Sequence, residues 1–450
     1  MTARMHNKVF IISLGCAKNL VDSEHMLGLL KSYGFDIVDD IDKTDIAVVN
    51  TCAFIRAAVE ETIDTILEVA GHKKKGSLKK LVVAGCFVQR YGYKLRNEIP
   101  EVDGWIGTGE ISRIADIIMA DNSEGLAPFY IGRPLFLADH QLPRVRTTPF
   151  FSAYLKIAEG CSHRCSYCII PGLRGPFRSR NMESLVLEAE KMVDRGVKEI
   201  NLIAQDTSRY GSDLGSHVCL EDLLEKLVAV KGIKWIRLLY CHPEGVSERL
   251  LDLIDSEELI CPYLDLPQQH VNNQILKAMG RGYAQETPME LIGRIRAKKR
   301  GISIRTTLMV GFPGETEEMF IELCEFVKKT RIEHLGVFVY SPEKGTPAAR
   351  FKSTVDIKTA EQRRAEILRI QSEISRELNQ QKIGKTIPVL IEGSSTETDL
   401  LLAGRTAAMA PDVDDQVLIN KGRGIIGEIM PVLITEAYSY DVIGEIVECQ

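Results

Sequence analysis

Cys161-Ser162-His163-Arg164-Cys165-Ser166-Tyr167-Cys168 places three thiols at the spacing C-x3-C-x2-C. A cube of four irons and four sulfides is usually held by four Cys thiolates. Three local thiolates leave one iron without a protein ligand, and an open metal position takes a substrate or cofactor, as at a catalytic zinc. A series of strand-helix units surrounds this stretch. Candidate strands are 154–157, 199–203, 235–239, 263–266, 303–310 and 336–340, with helical periodicity after them, for example over 184–194, 221–229 and 315–328. Six such units predict a partial (β/α)6 barrel over residues 147–377, with its chemistry at the carboxyl ends of the strands.

The residues before the barrel alternate strands (9–13, 46–50, 81–84) with helices (20–32, 55–70). That alternation indicates a parallel sheet, and so an N-terminal α/β domain over 7–123. A linker over 121–148, with Pro128, Pro134 and Pro143, follows it. Cys16, Cys52 and Cys86 each stand just past the end of one of these strands. Strand ends of a parallel sheet point one way, and ligands collect at that edge. The three thiols should converge there as a second metal site, with Gly15 and Gly85 letting the backbone approach closely. Cys219, Cys241, Cys261, Cys324 and Cys449 form no spacing pattern. Cys324 reads as packed on a helix, and Cys241 ends the third barrel strand.

After the barrel, residues 359–380 are highly charged, with Ile367, Leu368, Ile370 and Ile374 at helical spacing. They read as a long exposed helix leaving the barrel. Short β-rich runs at 389–391, 416–419 and 428–436, punctuated by glycine, predict a small β-barrel over 380–448. The chain has 450 residues, 45% hydrophobic and 26% charged, as in ordinary soluble proteins. No apolar run reaches the roughly 18 residues of a membrane span, and the polar start has no signal-peptide character. A cytoplasmic location is expected, where grouped Cys are metal ligands rather than disulfides. The net charge of -6 lies wholly in residues 381–450, with five basic against eleven acidic residues. Such a tail repels polyanions and attracts a basic partner.

An open iron in a cubane can chelate the amino and carboxylate groups of S-adenosylmethionine (SAM). An electron passed to the sulfonium cleaves its C–S bond to a 5'-deoxyadenosyl radical, which takes hydrogen from unactivated carbon; the protein orients the cofactor and excludes water. Tyr167 is placed either to lie along the adenine or simply to pack. Gln205 and Asp206 end the second barrel strand, where they meet the cofactor's amino group or ribose, or cap the next segment. Gly311 and Pro313, in Gly311-Phe312-Pro313-Gly314-Glu315, bring backbone towards the cofactor or form a plain turn. Lys73, Lys74, Lys75, Lys79 and Lys80 read as a solvated loop.

Residues 161–168 resemble the radical SAM motif. Their pairing with Cys16, Cys52 and Cys86 resembles the methylthiotransferase family across essentially the whole chain. The resemblance implies a cluster domain, a radical SAM barrel and a C-terminal TRAM β-domain. It also implies two 4Fe-4S clusters and two SAM molecules, one the radical source and one the methyl donor, with a flavodoxin or ferredoxin as electron donor. Segments 156–161 (KIAEGC), 201–207 (NLIAQDT), 404–406 (GRT) and 410–414 (APDVD) are similar to the ribosomal-protein branch rather than the tRNA branch. Arg281 and Tyr283 also fall in a family-like segment. Cys241-His242 and Gln268-Gln269-His270 depart from the family pattern, and the departures bear on substrate contacts rather than reaction type. The implied reaction is methylthiolation of the β-carbon of an aspartate on a small-subunit ribosomal protein, number twelve of the S series; the alternative is a tRNA adenosine. A TRAM domain gripping RNA should be basic, whereas this acidic one suits a basic protein. From other classes, an iron-sulfur electron carrier would not need a six-unit barrel, and a zinc site would usually have four local ligands.

Overall fold

The structure is a computed structural model that describes residues 7–120, 126–215, 217–282, 286–396 and 398–447. Tyr283 and Cys449 lie outside the described residues. The first sheet has strands β1 (Lys8–Ser13), β2 (Asp36–Ile37), β3 (Ile46–Thr51), β4 (Lys80–Gly85), β5 (Gly104–Ile106) and β6 (Phe129–Tyr130). They pair in parallel in the order β2-β1-β3-β4-β5-β6. β3 is buried throughout, as a central parallel strand covered on both faces must be. Its alternate residues enter two cores. Ala47 and Val49 meet Ile66 and Val69 of helix Arg56–Lys74, while Ile46 and Val48 meet Met26 and Leu30 of helix Ala17–Ser32. β6 pairs with β5 inside the segment expected to be a linker, so the sheet runs beyond residue 123. Of the lysine run, Lys75 and Lys79 lie in an exposed loop, whereas Lys73 is in the last turn of a helix with its ammonium 2.6 Å from Asp103, and Lys80 begins β4.

The second sheet contains β7 (Ser152–Lys156), β10 (Glu199–Ile203), β11 (Trp235–Leu238), β12 (Ile260–Asp265), β13 (Ser303–Val310) and β14 (His334–Val339); a two-stranded ribbon, β8 (Ala158–Glu159) with β9 (Arg178–Ser179), lies between the first two in the chain. The six strands are parallel and pair in chain order without closing. This is an open (β/α)6 barrel. Its outer helices start on side-chain caps, which satisfy free backbone N–H groups. Asn181 accepts from Ser184 N, Ser247 from Leu250 N, and Thr287 forms a reciprocal box with Glu290.

Helix Ile357–Gln380 does not leave the barrel as an exposed rod. Ile367, Ile370 and Ile374 belong to the barrel core, Gln371 Nε2 donates to Ile332 O at 2.9 Å, and Arg363 pairs with Glu315 at 2.9 Å. The charges read from the segment occupy the outward faces, and one stripe of isoleucines suffices to bury the other.

The C-terminal domain is a closed barrel of β15 (Thr386–Ser394), β16 (Leu402–Thr406), β17 (Val417–Lys421), β18 (Ile429–Ala437) and β19 (Val442–Ile446), in the order β15-β16-β17-β19-β18. Residues 407–415, between β16 and β17, lie against the radical barrel. Tyr154 donates its hydroxyl to Asp412 at 2.8 Å and Tyr263 donates to Asp414 at 2.7 Å; Arg305 pairs with Asp414, and Arg237 Nη1 donates to Ala407 O at 2.7 Å. Part of the acidic tail is therefore turned inward, against the barrel. A buried cluster joins the three domains through the barrel, from Val21 of the first helix through Tyr154, Trp235 and Tyr263 to Leu390 and Ala410. Among the described residues, no helix is long and apolar enough to cross a membrane.

Candidate active site where the two parallel sheets meet

β1, β3 and β4 are neighbours in the first sheet, and Cys16, Cys52 and Cys86 follow their carboxyl ends. Asn19 Nδ2 clamps two of these ends by donating to Leu14 O at 2.7 Å and Asn50 O at 3.2 Å. Thr62 Oγ1 donates to Cys52 O at 2.8 Å. Glycine is required beside the triad. Gly15 has φ +88°, and a Cβ there would stand 2.7 Å from Cys52 Cβ. Gly85 has φ +96°, and its Cβ would meet Thr51 O at 2.8 Å. Cys16 is open to solvent, Cys52 half-buried and Cys86 buried. Although the residue keeps exposed surface, the protein crowded around the Cys16 thiol pushes it up, but the charges of Lys18 and Arg174 and two backbone N–H groups outweigh this and bring it below the ordinary value. Burial pushes Cys52 up, and Cys86 up to about 11, despite Arg174. The three thiols act electrostatically on one another, and Arg174 acts on all three.

The second triad lies on the loop after β8, pinned by backbone. Cys161 N donates to Gly175 O at 3.0 Å, and Cys168 N to Cys165 O at 3.1 Å. Ser166 is held at both ends: its N donates to Met279 O at 2.8 Å and its Oγ to Ala278 O at 2.7 Å. His163 Nε2 is 2.6 Å from Asp206 Oδ2, and its ring stacks on His242 with centroids 4.2 Å apart. All three thiols are half-buried. Burial raises Cys161, and Cys168 to about 12. Among the described residues no three His, Cys, Asp or Glu side chains could hold a single metal ion. A cube is larger than an ion, and each thiolate binds a different iron at a different corner. The close-approach glycines, the convergent thiols and the buried cation beside the first triad suit such an anionic group.

The other expected site residues divide. Tyr167 packs beside Ile275, Met279, Phe312 and Ala348, next to the second triad. Gln205 Nε2 donates to Glu159 Oε1 at 2.9 Å, and its Oε1 is buried without a partner. The Asp206 carboxylate is already occupied by His163, by Ser208 Oγ at 2.6 Å and by His242 N at 3.3 Å. Gly311 N donates to Glu315 at 2.6 Å. Gly311 and Pro313 face a separate cavity of about 240 Å³, walled by Tyr340, Phe351 and Ile357, that none of the six Cys lines. Arg281 Nη2 donates to Pro267 O at 2.7 Å, with Nη1 3.9 Å from Cys165 Sγ.

Sequence reasoning did not single out the group that joins the two triads. Arg174 follows Cys168 by six residues, just as Asp22 follows Cys16. Arg174 Nη1 is 2.5 Å from Asp22 and 3.5 Å from Glu159, and Nη2 donates to Asn19 at 3.1 Å. Lys156 completes the quartet with Asp22 and with Glu159 at 2.7 Å. All four charges are buried, so each depends on its partners for solvation. Tyr240 was also passed over; with Gln269, it holds positive φ (60° and 70°) just past β11 and β12. Such strain in non-glycine residues gathers at functional sites.

Residues 8–107 match "Uncharacterized protein family UPF0004", 155–327 the radical SAM superfamily and 383–447 the TRAM domain. The fold resembles the radical S-adenosylmethionine methyltransferase TsrM of Kitasatospora setae, solved with tryptophan and a SAM analogue, at 15% identity and a TM-score of 0.55 over 86% of this chain and 79% of that one. The ribosomal protein uS12 methylthiotransferase RimO of Pelobacter propionicus is 48% identical over 448 residues, covering 100% of both chains. That of Geobacter sulfurreducens is 47% identical over 98% of both. At that identity over its whole length, the chain belongs to the family of the ribosomal protein uS12 methylthiotransferases RimO.

Proposed function

We propose that this enzyme methylthiolates the β-carbon of an aspartate on ribosomal protein uS12 by radical SAM chemistry. Cys161, Cys165 and Cys168 hold one 4Fe-4S cluster, and Cys16, Cys52 and Cys86 hold a second. Two SAM molecules are used, one as radical source and one as methyl donor. A flavodoxin or ferredoxin supplies the electron. When bound, the first cluster and SAM supply a carbon radical able to take hydrogen from an unactivated C–H.

The chain's own residues hold and enclose this chemistry. The Asp206–His163 contact and the His163–His242 stack fix the loop that carries Cys161 and Cys165. Asp206 thereby positions the loop that carries the second triad. Gln205 Oε1, buried and unpartnered, accepts from the amino or ribose hydroxyl group of SAM. Tyr167 gives the ligand loop an apolar anchor beside Phe312. The first sheet covers the carboxyl ends of the barrel strands, and Lys18 lies on the Tyr240 ring across that junction. The cover limits the access of water to the carboxyl ends of the barrel strands, which protects a radical from side reactions.

The observation that carries the reading is a pair of three-thiol groups, one at the carboxyl ends of β1, β3 and β4 and one on the loop after β8 that leads into Arg174, each one thiolate short of what a cubane takes. Mass spectrometry of uS12 from a strain deleted for this gene tests it. The methylthio mass increment should disappear from uS12 while tRNA hypermodification persists; the reverse pattern assigns the enzyme to tRNA.

A further inference from the structure

Beside the first triad stands a cation that, among the described residues, has no carboxylate partner. Lys18 lies in the first turn of helix Ala17–Ser32, two residues after Cys16. It is 8% exposed, and its ammonium is 3.1 Å from the centroid of the Tyr240 ring. The backbone of Tyr240 is held in place, because Tyr240 N donates to Asp265 Oδ2 at 2.9 Å. The charge of Lys18 reaches Asp265, which faces Tyr240 N and Arg305 rather than the ammonium. The neighbouring cations are committed: Arg174 and Lys156 to Asp22 and Glu159, and Arg281 to Pro267 O. An ammonium taken largely out of water needs compensation. A tyrosine face returns part of it, and an anion arriving at the site returns the rest.

We propose that Lys18 binds the carboxylate of the target aspartate and selects an anionic side chain at the reacting position. The inference rests on the substrate reading above. In aspartate the carboxyl carbon is bonded directly to the β-carbon that gains the methylthio group. A cation that reads this carboxylate must therefore stand within reach of the reacting carbon. Lys18 stands beside Cys16 of the first triad, and the Tyr240 ring against its ammonium fixes its direction. A site built to pair a buried charge discriminates strongly against an uncharged analogue, because the charge is then left unpaired. An adenosine offers no such anion, and asparagine offers only a dipole.

The test compares uS12 with the same protein carrying Asp→Asn at the modified position, each turned over by anaerobically prepared holoenzyme. The wild-type enzyme should favour the aspartate form at least tenfold in kcat/KM. Lys18→Met should lower kcat/KM for the aspartate form at least tenfold and move the asparagine form less than twofold, so that the preference collapses. Lys18→Arg should keep the preference. Should Lys18→Met fail to retain iron, Lys18→Gln replaces it against Lys18→Arg. A variant that lowers both forms equally, or neither, overturns the proposal, as does a wild-type enzyme indifferent to the two. A wild-type enzyme that modifies neither form refutes the substrate reading instead.

Discussion

Replacing Arg174 by Gln should loosen the junction of the two triads by an amount the structure sets. Arg174 is 3% exposed and bonds Asp22, Glu159 and Asn19. Without it, Asp22 and Glu159 share Lys156 alone, and a buried negative charge is left over. Removing one partner of a buried pair costs about 3–5 kcal/mol. With a urea slope of about 2 kcal/mol per molar, the midpoint falls by roughly 2 M. The two tryptophans report it by domain, since Trp105 is buried in the first sheet and Trp235 in the barrel. Asp22→Asn added to Arg174→Gln removes the unpaired acid and leaves Lys156–Glu159 at 2.7 Å. The double variant should therefore regain most of the loss, with a coupling energy on the order of 2 kcal/mol. Arg174→Gln unfolding at the wild-type midpoint, or a double variant no more stable than the single one, would refute the account of a closed buried quartet.

Replacing Cys161, Cys165 and Cys168 together by Ala should halve the iron of anaerobically purified protein, from about eight to about four per chain; an unchanged content would remove these residues from the ligand set. Glu188 gives a pH dependence. Burial pushes its carboxyl up, but Arg180 and Arg144 outweigh burial and hold it at about 2. A depressed folded value means that the contribution is present above the unfolded value of about 4.3 and is lost as pH falls through about 2. Glu188→Gln should thus cost about 3 kcal/mol in urea unfolding at pH 7, and its deficit should shrink between pH 5 and pH 2; a deficit independent of pH would count against the assignment.

The cysteine positions were legible because each follows an apolar run long enough to be read as a strand. Val48-Val49 and Val82-Val83 mark two of those runs, and a Cys just after such a run stands at the strand's carboxyl end. β2, β5 and β6 have two, three and two residues, too few for any period to show. That is why the first sheet was read as ending early. The helix over residues 357–380 was misread because its charges were counted around the whole circumference, whereas burial needs only the stripe through Ile367, Ile370 and Ile374. Arg174 and Asp22 are 152 residues apart, and no local pattern announces a pair at that distance.

The acidic tail carries a larger correction. Sequence supplies the sign of a charge but not the direction it faces. Asp414 is enclosed with Tyr263 and Arg305, Asp412 takes the Tyr154 hydroxyl, and Glu428 pairs with Lys198 at 2.5 Å. Arg405 bridges Glu392, from the tail, and Glu199, from the barrel. Barrel cations therefore neutralise a share of the charge that would steer a basic partner, and the field that reaches solvent is weaker than the composition implies. Long-range steering also sets encounter rate more than choice. Preference for an acidic side chain over a base must then be exerted where the reacting carbon sits. There, Lys18 rests on Tyr240 beside Cys16 and, among the described residues, has no carboxylate of its own.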